Sequence, residues 1–548
     1  MDQLNLWTRI LNKQADWKRD FRLFQFTRQL TNNTHPDPEN PTVAFFVAST
    51  RITGISLNAA FSYLVACGLQ VAEIPVVYFA CQAGMSRCVM GTQIQDPSQP
   101  PPCKACVSQS RRLFAHAPTI EFTFKEDETL KKSMQGMSIK DLSRFAFAAA
   151  PEMRVQGEIP LGELVLPSMR WITRLHNLPE NERTRFLFRE YIQSAWRVAT
   201  EFANFLDEIN PQVLVVFNGV LFPEATARWI AKKRGVRVIT HEVAFKPNSA
   251  FFTDQQATAY PIEIPDDFHL SAEQNQKLDE YLEQRFQGKF TMAGIQFWPE
   301  IRKMDQEFES KASQFEQIVP VFTNVIFDTS QIHANIVFDT MFEWLDLILA
   351  IIKNHPETLF VIRAHPDELR KGKRSQESVP MWVFENGIEQ MDNVIFIPPD
   401  EYLSSYDLIQ RSNLVLVYNS SIGLEASLIG KAVICGGKAR YSDYETVYFP
   451  ETPEEYQDKV EQFLNLDDPV KAPDTHRENA RRFMYYQLFK ASLPFGDFLE
   501  NHTQPGYVRL KPISWRQLQI ENSATMETLV GGIIHQKPFL MGEQENNA

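Results

Sequence analysis

The residues of this chain with chemistry to offer gather at the ends of short apolar runs. Leu414 to Val417 is followed at once by Tyr418-Asn419-Ser420-Ser421-Ile422-Gly423-Leu424-Glu425, a strand, a turn and a helix start. A helix N-terminus presents free N–H groups and a positive dipole end, and so favours a phosphate. Ser420 and Ser421 can cap that helix and offer hydroxyls. Gly423 permits close backbone approach, and the Glu425 carboxylate, one turn in, would accept the hydroxyls of a ribose. Alone, this is no more than a well-chosen helix start. A second run, Leu359 to Arg363, ends in Ala364-His365-Pro366-Asp367-Glu368. The proline holds His365 extended. His365 would donate to a phosphate and Arg363 would add charge. Arg440, beyond Gly436-Gly437, would pair with a phosphate or carboxylate.

On the other side of the reaction a general base is needed. His241-Glu242 follows the apolar run Val236 to Thr240, and either residue would deprotonate a hydroxyl. For Glu242 a structural ion pair is an equal reading. Glu224 is a weaker choice, and Asp328 reads as a turn residue. Gly54 and the pair Asn218-Gly219 end strands and would let backbone approach a ligand. Cys81, Cys88, Cys103 and Cys106 form C-x6-C-x14-C-x2-C. Cys103 and Cys106 have the spacing of a zinc knuckle, so a structural zinc is slightly favoured over four unrelated thiols. Cys67 and Cys435 look like core residues.

These positions require a frame of strands alternating with helices. Val43 to Ala48, a helix from Ser56 to Ala66 closed by Gly68, and a strand from Val71 to Phe79 open one βαβ series. Val213 to Phe217, Pro223 to Lys233 and Val236 to Thr240 continue it. In the second half, strands at Ile318 to Phe322, Leu359 to Arg363, Val394 to Ile397, Leu414 to Val417 and Ala432 to Cys435 alternate with helices at Met341 to Lys353, Tyr402 to Arg411 and Ser421 to Ile429. The fold class is therefore α/β, with two doubly wound Rossmann-like domains facing a cleft. The boundaries read as an N-terminal amphipathic helix and linker over 1–40, a first domain with a cysteine loop over 41–262, a helical connector over 263–316, a second domain over 317–500 and a tail over 501–548.

Composition narrows the function classes. The 548 residues are 44% hydrophobic and 22% charged, ordinary for a globular chain, and the net charge of -13 argues against a general nucleic-acid binder. The start lacks the pattern of a secretory signal, and no run approaches a membrane span. A cytoplasmic protein is expected, at most peripheral to the inner membrane face.

The pairing of FVIRAHPDE (360–368) with YDLIQRSNLVLVYNSSIGLEASLIGKAVICGG (406–437) resembles the capsule-polysaccharide biosynthesis proteins of bacteria, which include capsule Kdo transferases. VFTNVIFD (321–328), RRFMYYQLFKASLPF (481–495) and FNGVLFPEATARWIAKKRGVRVITHE (217–242) are similar to the same family, while the first 200 residues match poorly. The resemblance implies a GT-B fold and a glycosyltransferase of surface-polysaccharide synthesis whose second domain holds a nucleotide-sugar donor, CMP-Kdo among the candidates. It places His365, Ser420, Ser421 and Glu425 at the nucleotide and phosphate. An acidic pair followed by glycine, the base of some His-Pro sialyltransferases, is not evident here. A glycan or glycolipid acceptor and a polysaccharide assembly complex are the implied partners, and no cofactor is expected for the chemistry. The alternatives are a non-catalytic sugar- or nucleotide-binding subunit and a nucleotide-sugar epimerase.

Overall fold

The computed structural model describes residues 21–52, 54–287, 302–369, 374–466, 468, 470–502 and 506–542. The first twenty residues of the expected N-terminal helix and the end of the tail, 543–548, lie outside them; 21–33 is helical.

Continuous apolar runs become buried parallel strands, since a sheet covered on both faces has no polar side to show. In the first domain, β1 (Val43–Val47) leads through α1 (Leu57–Val71) to β2 (Val76–Cys81), then α2 (Cys103–Leu113) and β3 (Thr119–Phe122). Two long helices follow, α3 (Leu161–Thr173) and α4 (Glu182–Ile209), before β4 (Val213–Phe217), α5 (Phe222–Lys233), β5 (Arg237–Val243) and β6 (Ser249–Thr253). After α6 (Ala272–Phe286) the second domain runs β7 (Gln317–Phe322), α7 (Met341–Asn354), β8 (Thr358–Arg363), β9 (Val394–Ile397), α8 (Ser405–Arg411), β10 (Leu414–Val417), α9 (Ile422–Ile429) and β11 (Ala432–Cys435). The chain ends with α10 (Asp474–Tyr485), β12 (Leu493–Pro494) and α11 (Ala524–His535).

The first sheet has seven strands in the order β12-β6-β5-β4-β1-β2-β3, and the second five in the order β9-β8-β7-β10-β11. The second is parallel throughout; in the first, only β6 runs against the others, pairing antiparallel with both β5 and β12. Within each, the first five strands in chain order lie 3-2-1-4-5. The order reverses beside the first strand, and ligands of open α/β sheets bind there, beyond the carboxyl ends. The reversal falls between β1 and β4 in one domain, where Phe46 pairs with Val216, and between β7 and β10 in the other, where Phe322 pairs with Val417.

Three readings of the elements change. The helix expected to stop at Gly68 runs on to Val71, so β2 begins later, at Val76. Gly68 is instead a packing contact, since a Cβ there would stand 2.5 Å from Met526 Sδ on α11. Leu493 and Pro494 return to pair with β6, and Phe498, Leu518, Met526, Leu529 and Ile533 join the core that contains Val43 and Phe61. The tail therefore completes the first domain. Third, the connector is not separate: Leu278 and Leu282 of α6 sit in the second domain's core with Phe483 of α10.

Candidate functional site

The carboxyl ends of the second sheet face the first domain across a cavity of about 200 Å³. From the second domain it is lined by Asn324, Asp328 and His333 after β7, His365 and Asp367 after β8, Asn419 and Ser421 after β10, and Lys438 and Arg440 after β11. Trp171 of α3 and Phe245, Thr258 and Ala259 close it from the first domain. Four strand ends of one sheet thus converge on one space.

Asn324 Nδ2 donates to Asn419 Oδ1 at 2.6 Å, which ties the β7 and β10 loops across the reversal point. Ser421 occupies the N-cap position of α9, yet its hydroxyl makes no capping bond and faces the cavity. The His365 ring Nδ1 accepts the backbone N–H of Asp367 at 3.2 Å. That leaves the ring proton on Nε2, a donor for an anion. Burial lowers the His365 pKa, with the Asp367 and Asp328 charges opposing, so the imidazole is neutral at pH 7. Arg440 lies with its guanidinium carbon 4.5 Å from the ring centre of Phe245 and 4.3 Å from that of Tyr260, a cation–π sandwich built by the other domain. Lys438 pairs with Asp443 at 2.9 Å. The His333 ring Nε2 and Thr258 Oγ1, 2.8 Å apart, join the domains again, and burial takes the His333 pKa down to about 4.

Several expected ligand contacts lie elsewhere. Glu425 is 2% exposed; its Oε1 accepts from Arg285 Nη2 of α6 at 2.7 Å and its Oε2 from the Tyr406 hydroxyl at 2.5 Å. With its carboxylate engaged by a buried ion pair, it does not line the cavity. Arg363 is 4% exposed and donates from Nη1 to the Leu403 carbonyl at 2.5 Å, behind the strand end. Ser420 turns its carbonyl to the Tyr441 hydroxyl at 2.5 Å. Gly423 is needed for that tyrosine, because a Cβ there would stand 2.3 Å from its oxygen. Gly54 likewise makes room for the Tyr507 ring, and Gly219 for Arg228.

His241 is fully buried. Its Nε2 meets Ser62 Oγ at 2.7 Å, its ring stacks on Phe252, and burial drops its pKa to about 3. It cannot reach an acceptor hydroxyl and is a core histidine. Glu242 is partly buried at the carboxyl end of β5, where Asn218 and Asn58 donate to it at 2.9 Å each and the Val243 N–H at 2.8 Å. Burial raises its pKa, the three hydrogen bonds oppose that, and the Asp328 charge adds to it. The ion-pair reading of Glu242 is not met, because its partners are amides. Asp328 does serve a turn, accepting from the Ser330 N–H at 3.1 Å and hydroxyl at 2.5 Å, but it also lines the cavity.

The four cysteines of the loop lie between the end of β2 and the first turns of α2. Each is engaged locally or lies apart. Cys81 Sγ accepts the Gly84 N–H and Cys88 Sγ that of Gly91, both at 3.2 Å, Cys106 donates to Ser49 Oγ at 3.5 Å, and Cys103 begins α2. Burial pushes the Cys81 and Cys88 thiols up to about 12. Among the described residues no group of three or more His, Cys, Asp or Glu side chains is placed to hold a metal ion. The zinc expected from the spacing finds no ligand set.

Sequence reasoning missed Trp171, Asn324, His333, Thr258 and Lys438. Asn324 stands within VFTNVIFD, which assigns it no role; the other four carry no local motif, and each reaches the cavity through the fold.

Fold and site together define a class: two Rossmann-like domains closed on a polar cleft, the GT-B-like architecture. Residues 227–445 match the family described as capsule polysaccharide biosynthesis protein. Protein FixF of Sinorhizobium fredii is 30% identical over 102 residues, which cover 19% of this chain and 22% of that protein, so the match spans about a fifth of the relative's length. Among solved structures, the β Kdo 2,4 transferase of Thermosulfurimonas dismutans KpsC is 12% identical, with 50% of this chain and 80% of that one covered and a TM-score of 0.33. The β Kdo 2,7 transferase of the same KpsC gives 15%, 58%, 86% and 0.32, and the UDP-GlcNAc 2-epimerase of Neisseria meningitidis 13%, 82%, 98% and 0.23. The fold rests on the strand order of the two sheets, not on these likenesses. No helix among the described residues is long and apolar enough to cross a membrane.

Proposed function

We propose that the protein is a glycosyltransferase of capsule or related surface-polysaccharide synthesis, taking a nucleotide sugar in the cavity between its domains. The observation that carries this reading is the convergence of Ser421, Asn419, His365 and Arg440 at the reversal point of the second sheet. In this reading the start of α9, the Ser421 hydroxyl and His365 Nε2 hold the donor phosphate, and Arg440 offsets charge developing on the leaving group. The aromatic face of Trp171 and the first domain's loops present a glycan or glycolipid acceptor. Glu242, a carboxyl with raised proton affinity at the end of β5, takes the acceptor proton. The family match supports the polysaccharide context. CMP-Kdo is the first donor to offer, followed by UDP- and GDP-sugars, with and without lipid or glycan acceptors. Transfer, epimerisation or neither separates a transferase from an epimerase and from a binding subunit. His365→Ala and Ser421→Ala should each weaken donor binding about tenfold or more without unfolding the protein. Donor affinity unchanged in both would place the nucleotide elsewhere.

A further inference from the structure

Arg440 meets the cavity with its N–H donors uncommitted. It lines the space, and among the described residues its guanidinium makes no hydrogen bond or ion pair. What holds it is aromatic. Its guanidinium carbon lies 4.3 Å from the Tyr260 ring centre and 4.5 Å from that of Phe245. The two ring centres are 6.0 Å apart, with their planes at 76°. The chemistry of the holder matters. A carboxylate would fix an arginine by occupying its donors and cancelling its charge. A ring fixes the same cation through its π face and leaves the donors for an incoming anion. A long side chain held before its ligand arrives also loses less freedom on binding.

Phe245 belongs to the core, but Tyr260 is set in place by other means. It ends the short turn Ala257–Ala259 with φ 50° and ψ 52°, the left-handed conformation that favours glycine. It does so before Pro261, a position that prefers extended backbone. Residues held in such conformations cluster at functional sites. Thr258 and Ala259 of the same turn line the cavity, so the ring stands at its wall. Two contacts fix it there. The hydroxyl donates to the Val243 carbonyl at 2.6 Å, and the ring packs on Phe251 with centres 5.3 Å apart. Val243 in turn gives its N–H to Glu242 at 2.8 Å. Tyr260 therefore touches Arg440 with its ring and the strand end that carries Glu242 with its hydroxyl.

We propose that Tyr260 is a positioning residue, which aims Arg440 into the cavity so that its free N–H donors receive an oxyanion of the donor. The proposal rests on the donor reading for that anion, and adds the side chain that presents the cation to it.

Titration calorimetry of the full chain with inorganic pyrophosphate tests it. Arg440→Gln and Tyr260→Leu should each weaken binding about tenfold, a loss within the range of a desolvated cation–π contact. Combined, they should lose no more than Arg440→Gln alone, since the ring acts only through the cation. Where Tyr260→Leu fails to fold, phenylalanine analogues at position 260 decide the matter. Ring fluorines drain the π face while hardly changing its shape. Tyr260→Phe should bind within about threefold of wild type, and its difluoro and trifluoro analogues should weaken stepwise beyond that. Affinity that stays flat along this series, or a Tyr260→Leu loss that adds in full to that of Arg440→Gln, overturns the positioning role and leaves the donor site standing. A wild type that takes no pyrophosphate, or an Arg440→Gln protein that takes it equally well, overturns the donor reading at Arg440 and this proposal with it.

Discussion

Replacing Glu425 by glutamine should destabilise the second domain and leave nucleotide affinity unchanged. The side chains of Arg285 and Glu425 are each 3% exposed and meet at 2.7 Å, and the Tyr406 hydroxyl fills a second oxygen site. Two ions taken out of water gain little net stability as a pair, but removing one leaves the other charged and uncompensated, at a cost of about 3–5 kcal/mol. Glutamine keeps the shape and the tyrosine's acceptor, which places Glu425→Gln toward the lower end. For a cooperative unit of 150–250 residues this is a fall of roughly 6–20 °C in melting temperature. The double variant Arg285→Met/Glu425→Leu removes both charges and should recover most of the loss, since apolar replacement of a whole buried pair is commonly neutral or stabilising. Thermal and urea unfolding followed by tryptophan fluorescence, with titration of the donor nucleotide below the transition, checks both halves. A Glu425→Gln protein that melts with wild type but binds nucleotide tenfold more weakly would refute the structural role and return Glu425 to the ligand.

Two further expectations follow from buried groups. Burial raises the Glu368 carboxyl, 1% exposed, to about 8, and Glu224 to about the same value. The folded chain therefore holds protons that the unfolded chain releases near pH 4.3, so stability declines as pH rises from about 4.5 to 8. Glu368→Gln should flatten part of that decline and stabilise the protein at pH 8, read by urea midpoints at pH 5 and pH 8; an unchanged slope contradicts it. Gly423→Ala sets a Cβ against the Tyr441 oxygen at 2.3 Å and the Val417 Cγ2 at 3.0 Å, and should cost about 1–3 kcal/mol. Tyr441→Phe added to it should restore part of that loss, and a double-mutant cycle with no coupling would show that the tyrosine is not what the glycine serves.

The strands of the second domain were the most legible part of the chain. Leu414 to Val417, Val394 to Ile397 and Ala432 to Cys435 have the bounds read from their apolar runs, because strands buried on both faces admit no polar residue. β3, with the sequence TIEF and a partly buried face, carries no such run, and β6 was passed over although all five of its residues are buried. The return of the tail is equally silent. Its clearest trace is Gly68, which reads locally as a helix stop because the sequence cannot announce a methionine arriving from position 526. At the site, His365, Asn419, Ser421 and Arg440 were found at strand ends and do converge. Glu425 and Arg363 stand in the same motifs but turn inward, drawn by Arg285 and by the Leu403 carbonyl, partners 140 and 40 residues away.

What local reading lacks is the lateral order of the strands. A βαβ series shows where each strand ends but not which ends adjoin. Placing β1 beside β4, and β7 beside β10, brings the informative loops together. In the first sheet Asn218, after β4, reaches Glu242 on β5, joined by Asn58 of α1. In the second, Asn324 reaches Asn419. In each domain short amide side chains lace the loops beside the reversal point and hold them in register without adding charge. The charged groups, Arg440, Lys438 and Asp328 among them, can then face the space between the domains. His241 and Glu242 differ for the same reason. They are neighbours in sequence, yet His241 is held by Ser62 in the core and Glu242 is held by amides at the carboxyl end of β5.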